Sequence, residues 1–240
     1  MRERRVRVIE LTDKSIFHVH TFRCQHAEMV DDEAYIKRAL ELGADQIWFT
    51  DHAPFPGDYF NGRMALNELP EYIDTLTRLK EQYTDKIAVH IGLEAEYFPA
   101  YEAHYAALRA TEGIEAMILG QHTFALPEGG YSFSLGAEEK RAREHIGAGE
   151  AIVQGIESGY FDAVAHPDRI FKRCKVWTDE METISERIIA AAASRSIPLE
   201  YNLRSVERKR NLWKEFWDMI LDGQPVVTGI DAHTVKELTK

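Results

Sequence analysis

Short apolar runs alternate with longer amphipathic segments along the whole chain. The apolar runs predict strands over 15–20, 46–50, 86–92, 115–120, 161–165, 197–202 and 225–230. Between them, apolar residues recur with a helical period, which predicts helices over 33–42, 68–83, 99–110, 138–158, 178–194 and 211–222. Apolar strands that alternate with helices are typical of a parallel sheet covered by helices.

Seven strand–helix units predict a closed or nearly closed barrel, and we expect residues 1–240 to form a single domain of this kind. An open, doubly wound sheet is the alternative. No GxGxxG sequence opens any predicted helix, so a dinucleotide site is not expected. The segment 125–136 contains Gly129–Gly130, which predicts a turn in either a lid over the barrel or a hairpin.

Composition and charge narrow the class of protein. The chain is 45% hydrophobic and 29% charged, which is ordinary for a globular protein, and it contains no run long enough to span a membrane. The N-terminus lacks the apolar core of a signal peptide, and Cys24 and Cys174 form no disulfide framework, so we expect a cytoplasmic protein. A net charge of −11 argues against a nucleic-acid partner.

Histidines concentrate where the predicted strands end. Of the ten histidines, all but His90, His104 and His145 lie at or just after a predicted strand end. The carboxyl ends of the strands form the functional face of a barrel. His18 and His20 are two residues apart, so on one strand their side chains point the same way. The candidate metal ligands at these ends are His18, His20, His26, His52, Glu94, His122, His166, Asp231 and His233.

Nine ligands are too many for one ion, because zinc takes about four and a catalytic zinc leaves one position to water. The set therefore predicts two or three divalent ions. Its ligands are imidazoles and carboxylates with no thiolate, which favours Zn, Fe or Mn.

The order and spacing of these motifs resemble the PHP (polymerase and histidinol phosphatase) superfamily. The motifs are "HVH" with His26 six residues on, then "TDHAP", "GLEAEY", "LGQHTF", "AHPDRI" and "GIDAH". The stretch from "TDHAPFP" to "GLEAEYFP" is similar to the histidinol-phosphatase branch in particular.

This resemblance implies a distorted (β/α)7 TIM-like barrel with a trinuclear metal site. It implies three groups of ligands: His18, His20, Glu94 and Asp231; Glu94, His122 and His166, with Glu94 bridging; and His26, His52 and His233. Family members usually continue into a closing helix, whereas this sequence stops seven residues after His233. We therefore expect the closing helix to be short or absent, in a natural short form, a truncated chain or a barrel closed by another subunit.

The expected activity is hydrolysis of a small phosphate ester, most of all L-histidinol phosphate in histidine biosynthesis. Water activated by the bound metals would attack phosphorus, with no protein nucleophile. Arginine and lysine after the fifth and sixth strands could bind the phosphate. The candidates are Lys172, Arg173 and Arg204.

Acidic residues beside the cluster have two possible roles. Some could hold the cationic amine of histidinol phosphate, and the candidates are Glu96, Asp58 and Glu200. Others could orient neighbouring ligands as hydrogen-bond acceptors, and the candidates are Asp51 and Asp168.

Three other readings stay open. The first is a phosphoesterase of the same scaffold that acts on a nucleotide, a phosphoprotein or another small ester. The second is amidohydrolase chemistry, which typically needs a bridging lysine where this sequence has Glu94. The third is a metal-binding domain without catalysis, which the complete ligand set disfavours.

Overall fold

A computed structural model describes residues 9–58, 60–207 and 212–239. Its sheet contains seven parallel strands in the order of the sequence, β1 to β7. Their bounds are β1 Ser15–Val19, β2 Gln46–His52, β3 Ala88–Ala95, β4 Ala116–Leu119, β5 Ala163–Val164, β6 Leu199–Asn202 and β7 Val226–Gly229. All seven predicted strands are confirmed.

Hydrogen bonds between the last strand segment and the first close the sheet into a barrel. The amide of Ile230 donates to the carbonyl of Phe17 over 2.9 Å, and Ala232 donates to His18 over 3.0 Å. Val19 also forms a parallel bridge with Ala232. The prediction of a closed barrel is therefore confirmed, and the open sheet is excluded.

Seven α-helices are present in the described residues. Their bounds are α1 Asp32–Glu41, α2 Leu69–Gln82, α3 Glu102–Ala110, α4 Ala137–Ser158, α5 Asp179–Ser194, α6 Leu203–Glu207 and α7 Lys214–Asp218. The long helices lie where the periodicity predicted them. The expectation for 211–222 was too long, since α7 ends at Asp218, and α6 was not predicted.

The hydrophobic core lies mainly between the barrel and its helices. Phe49 on β2 and Leu93 on β3 are fully buried, as are Leu76 on α2 and Ile188 on α5. Burial of one such side chain contributes about 1.5–3 kcal/mol. In the described residues, no helix combines the length and apolar character that crossing a membrane requires.

The segment that follows β4 forms a hairpin. Ala125 and Tyr131 form an antiparallel bridge, and Leu126 donates its amide to Gly130 over 3.0 Å. Gly129 and Gly130 both have positive φ angles, 99° and 81°, which glycine adopts without steric cost. Tyr131 packs against Phe60, so the hairpin joins an aromatic cluster beside the barrel mouth.

After β7, the described chain forms one 3₁₀ turn, Val235–Glu237, and Leu238 packs into the core. Glu237 closes this turn by accepting hydrogen bonds from the amides of His233 and Thr234. The turn thereby fixes the backbone of a candidate metal ligand.

Candidate active site

The nine candidate ligands converge at the carboxyl ends of the strands. Five groups of three side chains have ligand atoms that all lie within 4.8 Å of one another. Four of these groups contain only candidate ligands: His26, His52 and His233; His18, His20 and Asp231; His18, Glu94 and His166; and His20, His52 and Glu94. His122 joins through Glu94, with its Nε2 3.6 Å from Glu94 Oε1.

The backbone of β1 turns at His18 and does not run as a regular strand through the HVH sequence. The pairing register with β2 shifts between Ile16 and Val19, and His18 has a φ of 69°. The Nε2 atoms of His18 and His20 nevertheless meet at 3.1 Å. The expected convergence of these two histidines is confirmed, although a bulge produces it and strand alternation alone does not.

Glu94 occupies the centre of the cluster and is buried. Its Oε1 lies 3.0 Å from His166 Nε2, and its Oε2 lies 3.0 Å from His52 Nδ1. Gly120 on the neighbouring chain segment makes room for this carboxylate, because a Cβ at that position would overlap it. Gly120 of the LGQH sequence therefore provides the space that Glu94 of the GLEAEY sequence occupies.

These donors fit a divalent cation. Glu94 Oε2 is buried and makes no hydrogen bond among the described residues, since its 3.0 Å contact with His52 Nδ1 lacks hydrogen-bond geometry, although buried carboxylate oxygens are normally paired. Two nitrogens bound to one tetrahedral zinc at about 2.0–2.1 Å are roughly 3.4 Å apart. The Nε2 separations of 3.1 Å for His18–His20 and 2.9 Å for His26–His233 are shorter than that value, so each pair of rings would move apart slightly to hold one ion.

The electrostatic environment favours the protonation states in which most of these side chains can bind a metal. Burial alone would raise the pKa of Glu94 and of Asp231, but the surrounding imidazoles hold both pKa values well below the ordinary range. Burial lowers the pKa of His26, and burial together with Arg169 lowers the pKa of His122 to about 3. Ionised carboxylates and neutral imidazoles are the forms that bind metals.

At His20 the balance is opposite. Burial would lower its pKa, but the nearby carboxylates of Asp231 and Asp51 outweigh that effect and raise the pKa to about 9. The carboxylates thus favour positive charge at the point where His20 lies. A divalent ion there would meet the same electrostatic attraction.

Two buried acidic side chains contact candidate ligands from outside the cluster. Glu200 accepts a hydrogen bond from His18 Nδ1 over 2.7 Å, so it lies beneath the cluster and not beside a substrate amine. Asp51 Oδ1 lies 3.4 Å from His20 Nδ1 and accepts the amide of His52 over 2.8 Å, as expected for an orienting group.

Asp168 lies elsewhere, contrary to the expectation that it orients a ligand. Its Oδ2 accepts hydrogen bonds from the Trp213 amide over 2.9 Å and from Trp217 Nε1 over 3.0 Å. Asp168 therefore anchors the segment around α7 to the turn that follows β5.

A cavity of about 580 Å³ opens above the cluster. Its lining residues are His26, His52, Asn61, Gly62, Arg63, Glu96, His122, Arg169, Arg204, Ser205, Asp231 and His233. The other candidate ligands, His18, His20, Glu94 and His166, are buried below its floor. The volume is within the usual range for a small-molecule site.

Of the three cations predicted to bind phosphate, the cavity contains Arg204. Its Nη1 donates to the carbonyl of Asp231 over 2.8 Å and also contacts His233 Nδ1. Lys172 and Arg173 pair with Glu144 at 2.8 and 2.6 Å and do not line the cavity.

Arg169 lines the cavity in their place. The sequence contained this residue in the segment DRIFKRCK, but its position next to Asp168 did not distinguish it from Lys172 and Arg173. The 3₁₀ turn Pro167–Phe171 brings Arg169 back toward His122. Had this helical turn been predicted after the fifth strand, Arg169 would have been favoured over Lys172 and Arg173 as the phosphate-binding residue.

Sequence reasoning also missed Arg63. Its guanidinium donates two hydrogen bonds to the buried Glu96, over 2.8 and 3.0 Å. Glu96 Oε1 lies 3.6 Å from His122 Nδ1, so the pair Arg63–Glu96 borders both the cavity and a candidate ligand. The side chain of Asp58, also predicted near a substrate amine, lies outside the described residues.

Residues 17–204 match the PHP domain family. The chain thus carries a barrel of parallel strands with a cluster of imidazoles and carboxylates at its carboxyl face, and it belongs to the PHP domain family. Asp231 and His233 lie beyond the matched range.

Curated relatives narrow the branch of the family. The chain is 28% identical to a probable histidinol-phosphatase of Deinococcus radiodurans over 92% of this chain and 86% of that protein. It is 29% identical to the histidinol-phosphatase of Bacillus subtilis over 60% of this chain and 56% of that protein.

Solved structures share the fold. A crystal structure from Listeria monocytogenes superposes with a TM-score of 0.81 at 20% identity, covering 94% of this chain and 97% of that one. Histidinol phosphate phosphatase of Lactococcus lactis, solved with zinc, L-histidinol and phosphate, has a TM-score of 0.70 at 22% identity over 92% of this chain and 86% of that one.

Proposed function

We propose that the protein is a metal-dependent phosphatase that hydrolyses small phosphate monoesters. The observation that carries this proposal is the presence of Arg169 and Arg204 in the same cavity as the candidate metal ligands. One guanidinium group can donate hydrogen bonds to two phosphate oxygens at once. Metal clusters with nitrogen and oxygen ligands support phosphoryl transfer.

Two or three divalent ions would occupy the cluster, held by the nine ligands that the motifs predict. Zinc, iron and manganese all suit these donors. When bound, such ions lower the pKa of a coordinated water and neutralise charge on the phosphoryl group. Glu94 would bridge two of these ions, since its two oxygens face different imidazoles.

The protein's own side chains would bind and orient the ester. Arg204 is held in place by the Asp231 carbonyl and by Glu237, whose Oε1 lies 3.4 Å from Arg204 Nη2. A prepositioned guanidinium loses little conformational entropy when it binds phosphate. Among the described residues, Arg169 has no carboxylate partner at ion-pair distance, so its donors are available to the phosphoryl group.

L-histidinol phosphate is the proposed substrate. Relatives named histidinol-phosphatase support it, as does the complex of the Lactococcus lactis protein with zinc, L-histidinol and phosphate. Glu96 is the carboxylate of the cavity lining that lies outside the proposed ligand set, and its two oxygens accept hydrogen bonds from Arg63.

The test is phosphate release from four esters after chelation and re-addition of Zn, Mn or Fe. The panel is L-histidinol phosphate, an aryl phosphate, AMP and a phosphotyrosine peptide. We expect a strong preference for L-histidinol phosphate that depends on added metal. Turnover of the other esters without histidinol phosphate would retain the chemistry and refute the substrate, and no release from any ester would refute the function.

A further inference from the structure

Glu200 is a fully buried carboxylate on β6 whose closest described partners are two candidate metal ligands. Its Oε1 accepts from the ring Nδ1 of His18 over 2.7 Å. Its Oε2 accepts from the backbone amide of His166 over 2.9 Å. Asn202 Nδ2 also donates to Oε2, over a longer 3.4 Å, and among the described residues no lysine or arginine pairs with Glu200.

Both partners of Glu200 have backbone conformations that favour glycine. His18 has a φ of 69° and His166 a φ of 31°. Such conformations persist when surrounding contacts determine them, and they concentrate at functional sites. Glu200 contacts both residues, since it accepts hydrogen bonds from the ring of His18 and from the backbone amide of His166.

A glycine on the adjacent strand accommodates the same carboxylate. A Cβ on Gly229 of β7 would overlap Glu200 Oε1. Gly229 does not have a positive φ, so alanine is compatible with its backbone. Glycine at position 229 therefore provides space for the Glu200 side chain and is not required by the backbone conformation.

We propose that Glu200 is a positioning residue of the metal centre. It fixes the proton of His18 on Nδ1, which leaves Nε2 as the metal-binding atom, and it holds the left-handed turn that presents His166. This inference rests on the proposed metal site, and it assigns to Glu200 a role in metal affinity and not in substrate binding, since Glu200 does not line the cavity.

The first experiment measures metal affinity in Glu200→Gln. Glutamine keeps the shape but has one acceptor oxygen where two donors must be satisfied. We expect zinc affinity, measured by competition with a chromogenic chelator, to fall about 10- to 100-fold, as for other groups that orient ligands. The visible absorption of the cobalt-substituted protein should change, and kcat should fall while KM for an aryl phosphate stays within about twofold.

Gly229→Ala tests the same carboxylate by placing a methyl group where the Glu200 side chain lies. We expect it to weaken zinc binding to a similar extent when Glu200 is present. In a Glu200→Ala background the added methyl meets no carboxylate, so Gly229→Ala should have little further effect. Equal effects of Gly229→Ala in both backgrounds would overturn the proposal.

Asp162→Asn is the matched control. Asp162 is equally buried and accepts from Arg109 and from the amide of Met117, at the amino end of β5. We expect this variant to lower the unfolding temperature of the protein while zinc affinity and the cobalt spectrum stay unchanged.

The outcomes separate this inference from the proposed function. Wild-type zinc affinity and an unchanged cobalt spectrum in Glu200→Gln would overturn the role of Glu200 even if the protein is a phosphatase. If the wild-type protein binds zinc but hydrolyses no ester, the proposed function fails and the affinity measurements still decide the role of Glu200. If Glu200→Gln does not fold, Gly229→Ala in the otherwise wild-type protein decides it, and wild-type zinc affinity with an unchanged cobalt spectrum in that variant would overturn the proposal.

Discussion

The Nε2 atoms of His26 and His233, which come from opposite ends of the barrel sequence, lie 2.9 Å apart. His26 donates from Nδ1 to the carbonyl of Cys24 over 2.7 Å, so in the neutral ring Nε2 carries a lone pair. Burial lowers the pKa of His26 and favours that neutral form. A divalent ion between the two rings would be bound by segments that close the barrel between β1 and β7.

Metal removal should therefore destabilise the fold. Binding to the native state alone stabilises a protein by about 2.7 kcal/mol when the free ion is at a hundred times its dissociation constant. We expect chelation to lower the unfolding temperature, and added zinc to restore it in a concentration-dependent way, in differential scanning calorimetry.

The double variant His26→Ala/His233→Ala is the control for this experiment. It removes one of the ligand groups that join the two ends of the barrel, while His18, His20 and Asp231 remain, so it should lose part of the zinc-dependent increase. An unfolding temperature of the wild-type protein that ignores both chelator and zinc would contradict the metal site.

Glu94→Gln should lose metal as well as activity. The substitution removes the negative charge at the centre of the cluster. It also replaces one of the two carboxylate oxygens, of which Oε2 faces His52 and Oε1 faces His166. Since changes to groups behind the ligands already cost 10- to 100-fold, we expect activity to fall by more than about 100-fold. Elemental analysis of the purified variant should show at least one ion fewer per chain.

Glu81→Gln makes the same chemical change on the exposed face of α2 and should retain metal and turnover. Full metal content and full turnover in Glu94→Gln would show that the cluster has been assigned wrongly.

The sequence predicted the barrel and the convergence of nine side chains because both follow from local order. Each strand end carries its own polar group, and parallel strands bring their ends to one face. The narrower grouping of His26 with His233 was implied by the resemblance to the PHP superfamily and not by their spacing along the chain.

Contacts that depend on side-chain direction were not predictable in this way. Glu200 faces inward beneath His18 because Gly229 leaves room for it, and nothing in LEYN distinguishes that position from one beside the substrate. Likewise, a 3₁₀ turn rotates Arg169 into the cavity and leaves Arg173 against Glu144. Neither result follows from spacing.

Arg169→Gln should weaken the binding of phosphate esters. Hydrogen bonds to charged groups contribute about 1.5–3 kcal/mol, which corresponds to a loss of roughly 10- to 100-fold in kcat/KM. Inhibition by inorganic phosphate should weaken in parallel, because the lost donors act on the phosphoryl group and not on the rest of the substrate.

Arg173→Gln is the matched control, four residues further along the same segment. It breaks the ion pair of the exposed Arg173 with the buried Glu144 at 2.6 Å, but Lys172 still pairs with Glu144 and Arg173 does not line the cavity, so we expect kcat/KM to stay within about twofold of the wild-type value. Steady-state kinetics on both variants would refute the placement of the phosphate if Arg173→Gln lost more activity than Arg169→Gln.

His104 should make stability depend on pH away from the metal site. It lies on α3, and its Nε2 is 2.9 Å from the carbonyl of Pro54 in the loop after β2. Burial lowers the pKa of His104 below its ordinary value of 6.5. The unfolded chain therefore binds more protons than the folded protein between those two pKa values, and stability rises with pH across that window.

The contribution of His104 is thus fully present above pH 6.5 and is lost as the pH falls through its folded pKa. We expect His104→Gln to reduce the free energy of unfolding by about 1 kcal/mol at pH 7.5 and by less at pH 5. Urea unfolding of metal-free wild-type and variant proteins at both values measures this difference, and the titration of the ligand histidines is common to both proteins. An equal loss at the two pH values would show that His104 contributes packing alone.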